Sequence, residues 1–197
     1  MKIIDGGVTA PKGFKATGAA VGIKKGVKDL ALISSDLPAV TAATFTTNVV
    51  KAASVIRNIE IMNSKKKISG IVINSGNANA CTGEEGYKSN TEMASHYAKL
   101  LGVEEDAVLT ASTGVIGAKF PIDTVKKGIE STFPKLGYDR NDALLAAEAI
   151  MTTDTYSKEI AVEFEIQITR KESIGENGFD NVEFMISTNP GESVKPL

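Results

Sequence analysis

Two apolar runs, each giving way to a stretch rich in Gly and small polar residues, constrain this chain more than any other feature. Ile68 to Ile73 reads as a central strand, and Asp106-Ala107-Val108-Leu109-Thr110 as a short buried one. The first leads into Asn74-Ser75-Gly76-Asn77-Ala78-Asn79-Ala80-Cys81-Thr82-Gly83, where three Asn and two Gly in ten residues suit neither helix nor strand. Asn and Gly visit left-handed backbone conformations. Such a loop can curl into a nest of amides and carboxamides lining a polar pocket, or it can remain a solvated loop without a ligand. The second leads into Ala111-Ser112-Thr113-Gly114-Val115-Ile116-Gly117. Gly114 and Gly117 free the backbone to turn and present its N–H groups, and Thr113 adds a hydroxyl, a combination that suits an oxyanion site. An ordinary tight turn uses the same residues.

Around these segments short strands alternate with a few helices, without internal repeats or a linker. Ser89-Asn90-Thr91-Glu92 has the spacing of a capping box, and the helix it opens carries Met93, Tyr97, Leu100 and Leu101 on one face and closes at Gly102. A second helix follows Pro121, with Ile122, Val125, Ile129 and Phe133 at helical spacing, and a third runs from about Asp142 to Met151. Val162, Phe164, Ile166 and Ile168 alternate with Glu163, Glu165 and Gln167, which predicts a half-buried strand with one wet face. Gly6-Gly7 and Gly13 predict turns near the start. Helices and strands mixed without a strict strand-helix-strand rhythm place the chain in the α+β class.

Composition removes several function classes. The 22 basic and 24 acidic residues leave no strong positive field, so no nucleic acid partner is expected, and Lys65-Lys66-Lys67 reads as a solvated loop. No stretch approaches the roughly 20 apolar residues that span a bilayer, and no basic region precedes an apolar signal core, so a cytoplasmic protein without a membrane partner is expected. With 42% hydrophobic residues among 197, the chain can bury a sizeable core as one domain or one half of a larger one. A single cysteine, Cys81, excludes an internal disulfide. Cys81 as nucleophile with His96 as its base is weighed and set aside, because His96 lies off the apolar face of its helix and reads as a surface residue.

The two Gly-containing segments, with Gly6-Gly7-Val8-Thr9-Ala10-Pro11-Lys12-Gly13-Phe14, Lys28-Asp29-Leu30-Ala31-Leu32-Ile33, Phe45-Thr46-Thr47-Asn48 and Met151-Thr152-Thr153-Asp154-Thr155, resemble the ornithine acetyltransferase family of arginine biosynthesis. The resemblance covers residues 4 to 166. It implies a multifunctional enzyme made as one precursor that cuts itself before an internal Thr, giving an α chain and a β chain. The new N-terminal Thr is then the nucleophile, activated by its own α-amine, and carries the acetyl group as an ester. The family moves acetyl from N-acetylornithine to glutamate, and some members accept acetyl-CoA. By resemblance, Thr113 and Gly114 form the oxyanion-hole pair and Thr152 binds substrate, with Thr153 the neighbour that an extended segment would turn the other way. The resemblance also implies no cofactor, sheets sandwiched between helix layers, and an α2β2 assembly in which the β chain of the same precursor covers apolar surface left open by the first half.

After Ile166 the pattern departs. The family's Lys-Gly-Ser-Gly-Met-Ile segment, whose lysine binds substrate, and its Asn-Met-Ala-Thr cleavage site are both absent, and residues 167–197 are read as a divergent tail of a single α-chain domain, 1–197. In that tail Val182, Phe184 and Ile186 alternate as a strand would, while Pro190-Gly191-Glu192-Ser193 suits disorder. Leu197 is therefore not expected to be a self-cleavage end, and the chain by itself is expected neither to cleave itself nor to transfer acetyl. The alternatives are a non-catalytic remnant and an N-terminal-nucleophile amidase or aminopeptidase of related layered fold.

Overall fold

The computed structural model describes residues 1–165. These divide into two compact units, one made of Met1–Ile4 with residues 162–165, the other of Asp5–Ala161. In the first, β1 (Lys2–Ile4) pairs with β6 (Ala161–Glu163).

The second unit is built on a four-stranded mixed sheet in the order β2 (Phe14–Ala19), β3 (Leu30–Ala39), β4 (Ile68–Asn77), β5 (Val108–Val115). The first two pairings are antiparallel and β4–β5 is parallel, with α2 (Gly83–Leu101) as the crossover that parallel strands require. Side chains alternate across the sheet. On one face Leu30, Leu32, Val72 and Val108 pack under Met93 and Tyr97 of α2 and under Val125 and Ile129 of α3 (Ile122–Thr132), all of them fully buried. On the opposite face Ala16 and Ala31 pack against Ala146 and Ala149 of α4 (Arg140–Ala149). A smaller cluster joins Ile61 of α1 (Ala53–Asn63) to Ile68 and Leu109. The result is the α+β layering that the sequence predicts, a sheet between helices.

Of the four α-helices among the described residues, three lie where sequence signals predict a helix, with differing ends for α2 and α4, and one has no signal. Gly102 closes α2 in the left-handed conformation at φ 71°, with the Val103 N–H reaching back to the Ala98 carbonyl at 3.0 Å. The start of α2 differs: it begins at Gly83, and Ser89 is a buried residue inside the helix, so Ser89-Asn90-Thr91-Glu92 caps nothing. The true capping box joins Asp139 and Asp142 at the head of α4, which ends at Ala149, short of the expected Met151. Helix α1 escapes periodicity because its buried side is Ala53, Ser54, Arg57 and Ile61, half of it polar. Lys65, Lys66 and Lys67 are exposed, as a solvated loop requires. The expected strand stops at Glu163 and lacks the expected dry face, since Val162 within β6 and Phe164 just after it are 41% and 52% exposed. Ile166, Ile168 and the tail 167–197, with Val182, Phe184, Ile186 and residues 190–193, lie outside the described residues.

Candidate active site

Parallel pairing from Gly70↔Val108 to Asn77↔Val115 brings both Gly-containing motifs to one end of the sheet. The sequence predicts loops from Asn74 and Ala111 onward, but both strands continue, to Asn77 and Val115. The reason is that the polar side chains find partners inside the fold. Ser112 Oγ donates to Asn74 Oδ1 at 2.7 Å, and Asn74 Nδ2 donates to the Asn77 carbonyl at 2.8 Å. Asn77 Nδ2 reaches the Lys119 carbonyl at 3.0 Å, while Asn77 Oδ1 accepts the Asn79 N–H at 2.8 Å. Asn79 in turn donates to the Gly86 carbonyl at 2.8 Å and accepts from Thr82 Oγ1 at 2.9 Å. These three carboxamides are all buried. They neither line an open pocket nor sit in water; they lock the exits of β4 and β5 to each other and to the head of α2. Buried amides satisfied in this way make one backbone path much cheaper than its rivals.

Gly76 and Gly114 are register partners, and both have positive φ, 103° and 135°. A methyl group on Gly114 would overlap the Gly76 carbonyl carbon. The glycines thus serve close strand approach in a backbone conformation that side chains rarely adopt, and not a free turn. Thr113 and Gly114 are exposed, as are Val115 and Ile116 at 61% and 66%.

The outer edge of β5 explains why that exposure begins where it does. Among the described residues β5 is an edge strand, and α1 covers only its first half. Arg57 Nη1 donates to the Val108 carbonyl at 2.7 Å. Asn58 makes a two-way contact with Thr110, donating to its carbonyl at 2.8 Å and accepting its N–H at 3.2 Å, as a neighbouring strand would. Burial pushes the Arg57 guanidinium below its ordinary value, only partly offset by Glu105 at 3.9 Å. Backbone groups alternate sides along a strand, so the groups of Ser112 and Gly114 turn to the same outer edge as those of Val108 and Thr110, beyond the reach of α1.

Thr152 reaches this end of the sheet through the residues before it. Ser75, the register partner of Thr113, donates from Oγ to the Ala149 carbonyl at 2.6 Å, and Lys24 Nζ donates to the Met151 carbonyl at 2.7 Å. Thr152 and Thr153 are both exposed, and the Thr152 N–H points to Asp154 Oδ2 at 3.4 Å. A hydrogen bond from Lys158, then that N–H, holds the Asp154 carboxyl below the usual carboxylate range. Thr113, Gly114 and the Thr152 segment therefore share one end of the sheet. Sequence reasoning missed Lys24 and Ser75, which only a crossing of distant segments makes relevant.

Cys81 and His96 do not form a dyad. Cys81 is exposed on the wall of a cavity of about 270 Å³ with Thr82, Glu85, Ser89 and Lys119, whereas His96 Nε2 lies 3.0 Å from Glu130 Oε1 on α3. Among the described residues no group of three His, Cys, Asp or Glu side chains is placed to hold a metal, and no helix is long and apolar enough to cross a membrane.

Comparison with known proteins identifies relatives of the chain and of its fold. An arginine biosynthesis bifunctional protein ArgJ from Caldanaerobacter subterraneus is 50% identical over 171 residues, covering 85% of this chain and 41% of that protein. A glutamate N-acetyltransferase from Methanocaldococcus jannaschii is 48% identical over 166 residues, covering 84% of this chain and 40% of that protein. The chain thus spans about two fifths of the length of the curated relatives it matches. Among solved structures, ornithine acetyltransferase from Mycobacterium tuberculosis, in complex with ornithine, superposes with a TM-score of 0.77 at 36% identity, covering 81% of this chain and 86% of that one. The ArgJ family model matches residues 15–177, and with that match and these relatives the chain belongs to the ArgJ family.

Proposed function

We propose that this chain is the α-chain part of an acetyltransferase that moves acetyl from N-acetylornithine to glutamate, with the nucleophilic threonine supplied by a β chain of the same precursor. The carrying observation is the open end of β5, where Thr113 and Gly114 stand exposed beside the tethered Thr152 segment. Names of the relatives, glutamate N-acetyltransferase and arginine biosynthesis bifunctional protein, support the same reaction.

In this reaction the threonine Oγ attacks the acetyl carbonyl of N-acetylornithine, and the α-amine of the same threonine takes the hydroxyl proton. The carbonyl oxygen becomes an oxyanion, held by the Thr113 hydroxyl and the Gly114 N–H. One such donor is worth about 3 kcal/mol in the transition state. Collapse breaks the C–N bond, the leaving amine takes the proton back, and ornithine departs from an acetyl-threonine ester. The glutamate amine then attacks the ester through the same oxyanion site, and N-acetylglutamate leaves with threonine restored. Thr152 binds the donor through its hydroxyl. The chemistry needs no cofactor, and acetyl-CoA fits the same ester route as an alternative donor. An α2β2 assembly in the cytoplasm completes the proposal, the β chain covering Val115, Ile116 and the open strand edge.

The test is acetyl transfer with radiolabelled N-acetylornithine and glutamate, and separately with acetyl-CoA. The chain is assayed alone and complemented by the region that full-length relatives carry beyond it. Transfer only in the complemented sample, with label trapped on a threonine of the added region, is expected. Transfer by the chain alone would overturn the assignment of the nucleophile, and no transfer in either sample would favour a non-catalytic remnant.

A further inference from the structure

We propose that Lys24 and Asp29 are positioning residues that clamp the Thr152 segment onto the oxyanion end of the sheet, an inference that rests on the acetyl-transfer reading above. Asp29 is fully buried immediately before β3, and its carboxylate accepts three backbone N–H groups: Val21 at 2.7 Å, Gly22 at 3.2 Å and Lys24 at 2.7 Å. Its own carbonyl accepts the Ser75 N–H at 2.8 Å. One residue therefore fixes the 20–24 loop and joins it to the exit of β4.

Because the peptide N–H groups satisfy Asp29, the Lys24 ammonium is left for another partner. Among the described residues it has no carboxylate partner, and it donates to the Met151 carbonyl at 2.7 Å. The aliphatic stem passes over Gly76, so closely that a methyl group there would come within 2.6 Å of Lys24 Cγ. Lys24 and Gly114 thus flank the same glycine. The Ala149 and Met151 carbonyls that Ser75 and Lys24 hold lie at the C-terminal end of α4, where carbonyls lack helical partners and the helix dipole favours a cation. Capping alone would be satisfied by any donor. What Lys24 adds is registration, because one side chain touches the backbone next to Thr152 and the glycine paired with Gly114. Small displacements of a binding group from its productive position weaken substrate binding and orientation steeply.

The experiment compares Lys24→Met, Lys24→Gln and Lys24→Arg in the complemented enzyme, with hydrogen exchange of the 150–155 amides measured on the full chain alone. Loss of one charged hydrogen bond corresponds to about a tenfold effect. Lys24→Met and Lys24→Gln are expected to raise KM for N-acetylornithine about tenfold, with the turnover number changed less than about threefold. They should also speed exchange at Thr152 to Asp154. Lys24→Arg, which keeps a long cationic donor, should restore most of both. Unchanged KM, a loss confined to turnover, or an arginine variant no better than methionine would each overturn the clamp. If Lys24→Met does not fold, the glutamine and arginine variants decide between the same outcomes. An inactive wild-type assembly would sink the transfer reaction, while the exchange comparison still judges the tether: unchanged exchange overturns it and faster exchange upholds it.

Discussion

Removing the side chain of Asn58 should cost this fold more than its place on a half-exposed helix suggests. Asn58 replaces a missing strand at Thr110, with one bond of 2.8 Å to the carbonyl and one of 3.2 Å from the N–H. Each intramolecular bond contributes about 1 kcal/mol net, and a buried backbone group left unpaired costs about 1–3 kcal/mol. Thr110 is only 1% exposed, so water reaches its freed groups poorly. Asn58→Ala is therefore expected to destabilise the chain by about 2–4 kcal/mol, well beyond the roughly 0.5 kcal/mol of an ordinary surface change. Urea unfolding should show a lower midpoint with an unchanged slope, and at about 2–4 °C per kcal/mol for a chain of this size the melting temperature should fall by about 4–16 °C. Asn58→Asp supplies a control, since it keeps the acceptor for the Thr110 N–H and loses the donor, and it should land between wild type and alanine. A loss below about 0.5 kcal/mol for Asn58→Ala would refute the idea that α1 acts as a surrogate strand.

Other expectations concern the site and its surroundings. Thr113→Ala in the complemented enzyme should lower the turnover number about 100- to 1,000-fold with little change in KM, because the oxyanion exists only after attack; an unchanged turnover would remove Thr113 from catalysis. Thr152→Val should raise KM for N-acetylornithine by the equivalent of about 1 kcal/mol; the same effect from Thr153→Val alone would show that the neighbour faces the substrate. Gly114→Ala should destabilise the chain and disturb the β4–β5 exit, read by faster amide exchange at Ala78, whose N–H bonds the Val115 carbonyl, since the added methyl meets the Gly76 backbone. The Asp36 carboxyl is held below the ordinary carboxylate range by the Tyr138 hydroxyl and then by Lys15, and Lys15 is correspondingly raised by Tyr138 and then Asp36. A depressed carboxyl stabilises the fold above its unfolded pKa, and that contribution is lost as the pH falls through the folded value. An NMR titration should find Asp36 low in the wild type and returned toward normal in Tyr138→Phe; no movement would show that the hydroxyl is not the cause.

The parts of this fold that were legible in the sequence are those that follow local rules. Met93 and Tyr97 sit at helical spacing and are fully buried; Gly102 stops its helix because only a residue free of Cβ strain takes that conformation readily. Thr113 and Gly114 stood out by residue type and by resemblance, and the structure sets them at an open strand end. What local rules could not show is where the polarity of Asn74, Asn77 and Asn79 would be spent. A cluster of carboxamides looks like a loop until the carbonyls of Asn77, Gly86 and the sequence-distant Lys119 arrive to accept their protons. Arg57 and Asn58 hid α1 for a related reason, since a helix whose inward side caps a strand edge has no apolar stripe to betray it. Lys24 and Asp29 were invisible as site residues because their meaning depends on Met151, more than a hundred residues away in the chain.

The half-covered edge of β5 also has a bearing on how this chain behaves on its own in solution. Unpaired strand edges are templates for sticking to other chains, and proteins usually blunt them with charge, bulges or a covering element. Here Arg57 and Asn58 guard the edge only as far as Thr110, and the stretch from Ser112 to Gly114 is followed by Val115 and Ile116, 61% and 66% exposed. In the proposed reaction, the surface left unguarded for substrate and for a second polypeptide is the same surface that recruits a stray strand. Expressed without that polypeptide, the chain should self-associate through this corner, and a single lysine in place of Ile116 should restore solubility.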